Sequence, residues 1–229
     1  MTAFDQKTVS PIAYANYQTE IGVKYLTGQG VVQDAAKAVQ WFRRAADQGD
    51  ALGQYNLGVA YDRGRGVPQD SALAVYWFRA AARQGLAMAQ AGMGSMYDQG
   101  HGVEINYSRA VHWYRLAADQ GYAPAQYSLG RMFHEGHGVS QDFAQAMHWI
   151  AQAAAQGVAQ AQYALGLMFN RGQGAPRDDV QAMKWFNLAK AIDPHLGDQN
   201  LRQLEAVASP KQIAEAQEMA REWRSVHRP

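Results

Sequence analysis

The sequence of 229 residues has no cysteine, no excess of either charge and no long apolar run. Without cysteine there is no disulfide, no thiolate metal ligand and no cysteine nucleophile. The 21 lysines and arginines nearly balance the 20 aspartates and glutamates, and they form no cluster of the kind that binds nucleic acid. No stretch approaches the roughly 18 apolar residues that a membrane-spanning helix needs. We therefore predict no nucleic-acid partner and no membrane span.

Residues 1–10 also lack the continuous apolar stretch of a secretory signal. As it stands, the chain is predicted to be cytoplasmic. If an export signal has been removed, the same sequence would belong to a periplasmic or secreted protein.

Catalytic motifs are absent as well, since the sequence contains no S-x-x-K, G-x-S-x-G or H-E-x-x-H. The segment HEGH at 134–137 is one residue short of the zinc-binding spacing, and its glycine is expected to end the helix. His112 and His148 occupy equivalent positions, but a metal site would need a third ligand. The recurring Gly-x-Gly has neither the Lys-Ser/Thr nor the preceding strand of a phosphate-binding loop. We predict no enzyme activity, no catalytic residue, no metal and no cofactor.

What the sequence does have is a repeat with a fixed period of 36 residues. Five tryptophans, three sets of glycines and two sets of alanines follow this step without insertion or deletion. The tryptophans are Trp41, Trp77, Trp113, Trp149 and Trp185, and one glycine set is Gly22, Gly58, Gly94, Gly130 and Gly166. A fixed period over this length is the signature of stacked structural repeats.

Each unit is predicted to be a helix, a turn and a second helix, as the unit at 51–86 illustrates. Apolar residues lie at helical spacing in both halves, and Gly64 is suited to end the first helix. Gly58 inside that helix costs roughly 1 kcal/mol relative to alanine, so its recurrence predicts a close approach by another helix. The predicted N-caps of the second helices are Asp34, Asp70, Asn106, Asp142 and Asp178.

The pattern A-x-x-Q-Y-x-L-G-x-x-Y-x-x-G-x-G-V-x-x-D-x-x-x-A-x-x-W-F-x-x-A-A-x-Q-G resembles the Sel-one-like repeat (SLR), a relative of the tetratricopeptide repeat. The resemblance covers about residues 15–194. It implies an all-α fold of bacterial type, a right-handed α/α superhelical solenoid of five helix-turn-helix repeats that acts as an adaptor in protein complexes.

The predicted domains are an N-terminal extension, five repeats and a C-terminal helical cap. Their bounds are 1–14, then 15–50, 51–86, 87–122, 123–158 and 159–194, and finally 195–229. Ser10-Pro11 predicts the start of the first helix. One cap helix is predicted from about Gly197 to Ala208. A second is predicted from Ser209-Pro210 to about Val226, and its sequence resembles the C-terminal cap of bacterial SLR proteins.

By resemblance to tetratricopeptide packing, the first helices would line a concave groove that binds a partner. The predicted protein-binding residues are Leu52, Tyr55, Val59, Asp62, Met88, Ser95, Asp98, Tyr127, Arg131, His134, Tyr163, Leu167 and Asn170. Interface centres favour aromatic, methionine and arginine side chains. The alternative for the recurring tyrosines is a role in packing between repeats, and the sequence leaves both open.

The predicted function is a non-enzymatic scaffold or adaptor that binds a protein or peptide in this groove. A narrower hypothesis is an immunity or regulatory protein of a bacterial secretion system, whose partner would be a toxin or effector. One alternative is a β-lactam-binding or hydrolysing SLR enzyme, which the lack of cysteine and of Ser-x-x-Lys argues against. The other is a self-assembling structural protein. The predicted state is a monomer or a weak homo-oligomer.

Overall fold

The structure, a computed structural model, describes residues 11–227 and has twelve α-helices and no strand in that range. The first ten helices form five consecutive pairs, one pair to each predicted repeat. The helices are α1 Pro11–Thr27, α2 Ala35–Asp47, α3 Ala51–Arg63, α4 Ser71–Arg83, α5 Ala87–Gln99, α6 Tyr107–Asp119, α7 Ala123–Glu135, α8 Phe143–Ala155, α9 Ala159–Arg171, α10 Asp179–Ile192, α11 Asp198–Glu205 and α12 Pro210–Val226. The predicted cap at Ser10 lies outside the described residues.

The chain divides into two compact units, Met1–Trp113 and Tyr114–Pro229, and the division falls within α6. In the first unit the two helices of a repeat pack together (α1 with α2, α3 with α4), and each second helix also packs on the next first helix. The second unit repeats this arrangement in α7 to α10. There α10 also carries the cap helices α11 and α12.

The helix ends follow the predicted chemistry. In each repeat, the residue that precedes the second helix caps it. Its side chain accepts a hydrogen bond, at 2.9 Å, from the backbone N–H three residues further on. The residues that do so are Asp34, Asp70, Asn106, Asp142 and Asp178. Gly64 ends α3 in the left-handed region with φ 63°. Gly66 also has a positive φ of 80°, and the carbonyl of Ala35 lies so close that no side chain would fit there.

The close approach predicted from Gly58 is present in the structure. A methyl group on Gly58 would lie 2.8 Å from Cδ1 of Phe78, whose ring belongs to the second helix of the same repeat and is 3% exposed. The same contact joins Gly22 with Phe42, Gly130 with Ile150 and Gly166 with Phe186. Glycine therefore sets the separation of the two helices, and one large side chain fills the space between them.

Glutamines make a second periodic contact, which no prediction from the sequence included. Buried Gln54 donates from Nε2 to the carbonyl of Ala46 in the preceding repeat at 3.3 Å. Its Oε1 accepts from Nε2 of Gln84 at 2.9 Å, and the same Nε2 lies 3.0 Å from the carbonyl of Gly49. Gln156 makes the equivalent pair of bonds in the fourth repeat. We call this paired arrangement the glutamine link.

The glutamine link ends in the fifth repeat because position 192 is isoleucine. Gln162 is fully buried and still donates to the carbonyl of Ala154 at 3.2 Å. Its Oε1, however, accepts no hydrogen bond from any described residue. A buried acceptor left in this state costs roughly 1–3 kcal/mol. The last repeat is thus less completely bonded than the fourth.

The cap covers the fifth repeat with a small apolar core. Buried residues of α10 pack there against residues of α11 and α12, and the set is Ala182, Met183, Phe186, Leu201, Leu204 and Ala216. Asp198 lies 2.5 Å from both Lys190 and Arg202. The hydrogen bond from Lys190, followed by that from Arg202, holds the pKa of Asp198 below its ordinary value.

Both cap helices are where the sequence placed them, with one difference in length. Ser209 and Gln212 form a reciprocal capping box at the start of α12, and α12 ends at Val226, as predicted. The helix α11 ends at Glu205, three residues before the predicted Ala208. Ser209 has an extended backbone, φ −70° and ψ 153°, and Pro210 follows it, so the chain must leave helical geometry before this point.

The glycine contact can be tested with Gly58→Ala. We expect a net loss of unfolding free energy, because displacing Phe78 costs about 1–3 kcal/mol and the gain in helix propensity is only about 1 kcal/mol. The matched control is Gly92→Ala on α5, where the nearest atom to a new methyl group is 3.4 Å away. Urea denaturation should show the control to be neutral or stabilising. Equal effects of the two substitutions would refute the steric explanation.

The missing glutamine link can be restored with Ile192→Gln. The new amide is positioned to donate to the carbonyl of Gly157 and to Oε1 of Gln162, and the expected gain is about 0.5–1.5 kcal/mol in unfolding free energy. Ile192→Leu is the control and should leave stability nearly unchanged, because Ile192 is 54% exposed. No difference between the two variants in chemical denaturation would contradict the assignment.

Candidate functional site

The predicted binding residues lie on the first helices, and all of them are half-buried or exposed. Their neighbours on the same helices, such as Gln54 and Leu57, are buried. We call the thirteen residues the first-helix face. In the first unit they are Leu52, Tyr55, Val59 and Asp62 on α3 and Met88, Ser95 and Asp98 on α5. In the second unit they are Tyr127, Arg131 and His134 on α7 and Tyr163, Leu167 and Asn170 on α9.

Two tyrosines of this face pack against buried rings and also remain partly accessible at the surface. The ring of Tyr55 lies 5.7 Å from that of Phe78, and Tyr163 makes the same tilted contact with Phe186 at 5.7 Å. The Tyr163 hydroxyl also donates to Oδ1 of Asn200 in the cap at 3.2 Å. Both tyrosines remain half-buried, so part of each side chain is accessible.

In the second unit the structure brings four predicted residues together around one cavity of about 160 Å³. These are Tyr127, Arg131, His134 and Leu167. Ile150 and Met168 also line the cavity, and they are only 3% and 2% exposed, so they form its floor. Ala164, Glu135, Arg171 and Gln173 complete the lining. We call this cavity the unit-2 pocket.

The polar groups of the unit-2 pocket are tied to one another. Nη1 of Arg131 donates to Oε2 of Glu135 at 2.7 Å. Nε2 of His134 lies 3.2 Å from Oε1 of Gln173. Burial raises the pKa of the Tyr127 hydroxyl above its ordinary value of 10.0, although the charge of Arg131 acts in the opposite direction. Tyr127 is therefore neutral at physiological pH and keeps its proton as a hydrogen-bond donor.

The first unit has a larger cavity of about 560 Å³, which we call the unit-1 pocket. Its lining consists of Asn16, Thr19, Glu20, Val23, Lys24, Gln29, Asp50 and Leu52. Oδ2 of Asp50 accepts from Oγ1 of Thr19 and from the backbone N–H of Gly53, both at 2.6 Å. Leu52 is the one predicted residue in this lining. The other eight residues of the first-helix face line neither pocket.

The sequence prediction missed several pocket residues, including Glu135 and Arg171 in the second unit and Glu20 and Asp50 in the first. It selected positions at fixed offsets from the conserved leucine of each first helix. Arg171 is the last residue of α9 and Asp50 is the residue before α3, so both lie outside those offsets. Including the helix ends among the candidate positions would have found them.

Within residues 11–227, no three histidine, aspartate or glutamate side chains are grouped closely enough to hold a metal ion. In the same range no helix is both long and apolar enough to cross a membrane.

Five successive segments match the model of the Sel1 repeat family, at residues 15–50, 51–86, 87–122, 123–158 and 159–191. The chain belongs to the Sel1 repeat family. Its fold is an all-α repeat solenoid, and Sel1 repeat proteins are generally protein-interaction scaffolds.

Solved structures of bacterial proteins are similar to this chain. A protective antigen of uropathogenic Escherichia coli with an SLR fold is 34% identical at TM-score 0.79, over 93% of this chain and 46% of the antigen. This chain therefore spans about half the length of that antigen. A Sel1 repeat protein of Oxalobacter formigenes is 32% identical at TM-score 0.79, over 90% of this chain and 84% of that protein.

A more distant similarity is to an immunity protein of Pseudomonas aeruginosa. It is 15% identical at TM-score 0.56, over 96% of this chain and 88% of that protein, and at this identity the similarity shows the fold alone. Among the curated proteins, none matches this chain.

The raised pKa of Tyr127 predicts a pH effect on stability. The neutral hydroxyl contributes stability that is fully present below the unfolded-state pKa of about 10 and is lost as pH rises through the higher folded-state pKa. Tyr127→Phe removes this contribution, so its unfolding free energy should fall less steeply than that of the wild type above pH ~10. Denaturant unfolding at a series of alkaline pH values, with pH 7 as the reference, measures the difference. Identical slopes would show that Tyr127 titrates normally.

Proposed function

We propose that the protein is a non-enzymatic scaffold that binds a protein or peptide partner on the first-helix face. The observation that supports this most strongly is variation within a constant framework. At one equivalent position of successive first helices the accessible residues are Val59, Ser95, Arg131 and Leu167. Two residues earlier, the buried positions carry only leucine or methionine, at Leu57, Met93, Leu129 and Leu165. Packing gives no reason for the accessible residues to differ between repeats. Recognition of an asymmetric partner gives one, because each repeat then meets a different part of that partner.

The chemistry of the face supports protein binding in particular. It presents tyrosine, arginine, methionine and leucine side chains, held on rigid helices. Tyrosine and arginine are among the side chains that carry most of the binding energy at protein interfaces, above all in small pockets from which water is excluded, and methionine is enriched at interfaces. The unit-2 pocket, with Tyr127 and Arg131 around an apolar floor, has this composition.

Site-specific photo-crosslinking in the native cell tests the proposal. A photoreactive phenylalanine derivative at Asn170 should capture a defined protein, because Asn170 belongs to the first-helix face on α9 but does not line the unit-2 pocket, which the new group therefore leaves open. The same group at Tyr76 on α4 is the control, since Tyr76 is 61% exposed and belongs to a second helix. We expect a partner from Asn170 that is absent from Tyr76 and that binds again when purified. Recovery of the same proteins from both positions, or of none from Asn170, would count against the proposal.

The narrower proposal is an immunity or regulatory protein of a bacterial secretion system. It is supported by the fold shared with the Pseudomonas aeruginosa immunity protein. If it holds, the captured partner is a toxin or effector, and co-expression of this chain should restore the growth of cells that produce the toxin. Variants that lose binding should lose protection. A captured partner without toxicity, bound equally tightly, would support the scaffold and exclude the immunity role.

A further inference from the structure

The unit-2 pocket has the size of a single side chain. Its volume is about 160 Å³. It lies well below the roughly 300–1,000 Å³ of pockets that bind drug-sized ligands. A drug-sized ligand would not fit inside, whereas one leucine- or methionine-sized side chain of a bound protein would.

The inner part of the pocket is apolar. The floor consists of buried Ile150 and Met168, and Leu167, Ala164 and Tyr127 also belong to the lining. A side chain that enters this space loses contact with water without meeting a buried charge. The interior therefore favours an aliphatic or thioether side chain over a polar one.

The rim, in contrast, carries a net positive formal charge. Arg131 and Arg171 each contribute a positive charge, and Glu135 is the one carboxylate of the lining. Glu135 is already bonded to Arg131 at 2.7 Å. Arg171 is exposed at the end of α9, and no carboxylate of the described residues forms an ion pair with it. Residues of a partner that flank the pocket therefore meet a field that attracts carboxylates and repels lysine and arginine.

The unit-1 pocket shows that a positive formal charge is not a general property of the pockets between repeats. Its lining contains Glu20 and Asp50 and one lysine, Lys24, so its formal charge is negative. Of the two pockets, it is the unit-2 pocket in the fourth and fifth repeats that would prefer acidic segments.

We propose that the unit-2 pocket is an anchor site that holds one leucine- or methionine-sized side chain from an acidic segment of the partner. The proposal rests on the scaffold function and specifies which partner chemistry the second unit selects. Arg171 attracts the carboxylates beside the anchor, and Leu167 and Tyr127 enclose the anchor itself.

Synthetic peptides test the preference directly with the full-length chain. The probe is a blocked, fluorescently labelled peptide in which single leucines are separated by pairs of glutamates. One comparison peptide has lysines in place of the glutamates, and another has serines in place of the leucines. Fluorescence anisotropy at low ionic strength should show the acidic leucine peptide binding at least roughly tenfold more tightly than either comparison peptide. Its affinity should fall as salt is added.

Two variants with matched controls locate the binding. Arg171→Glu should weaken binding of the acidic peptide by roughly tenfold, because it reverses the charge at the rim. Ala164→Phe should abolish binding by filling the pocket without changing charge. The controls are Arg63→Glu and Asn56→Phe, the same repeat positions on α3 of the first unit, and they should leave the affinity unchanged. Far-UV circular dichroism and thermal unfolding verify that each variant is folded.

The outcomes separate this inference from the scaffold function. Equal binding of the glutamate and lysine peptides, or equal effects of Arg171→Glu and Arg63→Glu, would overturn the acidic anchor. Crosslinking at Asn170 could still capture a partner in that case, and the scaffold would stand. A captured partner whose crosslinked segment is apolar and acidic would support both, and a basic segment would refute the inference alone.

Discussion

The contact between a first-helix glycine and a large side chain of the second helix is the constraint on which the fold depends. With a methyl group at Gly58, either the Phe78 ring would have to shift or the two helices would have to separate. The same contact occurs in the first, fourth and fifth repeats. Because each pair has the same internal spacing, the surfaces that it offers to neighbouring pairs are also the same. Regular stacking within each unit follows from one steric relation.

This regular framework separates residues that hold the fold from residues that are free to vary. The buried positions of the first helices, such as Gln54 and Leu57, make the contacts within and between repeats. Positions one or two residues away stay accessible, and their character changes from one repeat to the next. The two pockets show the result, since they are built on the same scaffold and yet carry opposite formal charge. Fold and specificity are therefore controlled by different residues of the same helices.

Local chemistry explains which features could be predicted from the sequence. The caps at Asp70 and Ser209 and the turn at Gly64 depend on neighbouring residues only, and the structure has them as predicted. The glutamine link was missed because a glutamine on a helix is normally solvated, and its partners lie about 30 residues away. The charge of the unit-2 pocket could not be predicted from the sequence either, because the charged side chains of its lining come from separate helices, at or near their ends.

The glutamine link also bears on why the unit has a constant length. A deletion of one residue between Gln54 and Gln84 would shift the amide of Gln84 away from both of its acceptors. A deletion between Gly58 and Phe78 would also disturb the contact of that glycine with the ring, and one between Asp70 and Leu73 would remove the cap. Three unrelated contacts therefore each depend on a fixed number of residues between their partners in the same segment. Loss or gain of a whole 36-residue unit leaves every count intact, so the chain tolerates changes in repeat number far better than changes in repeat length.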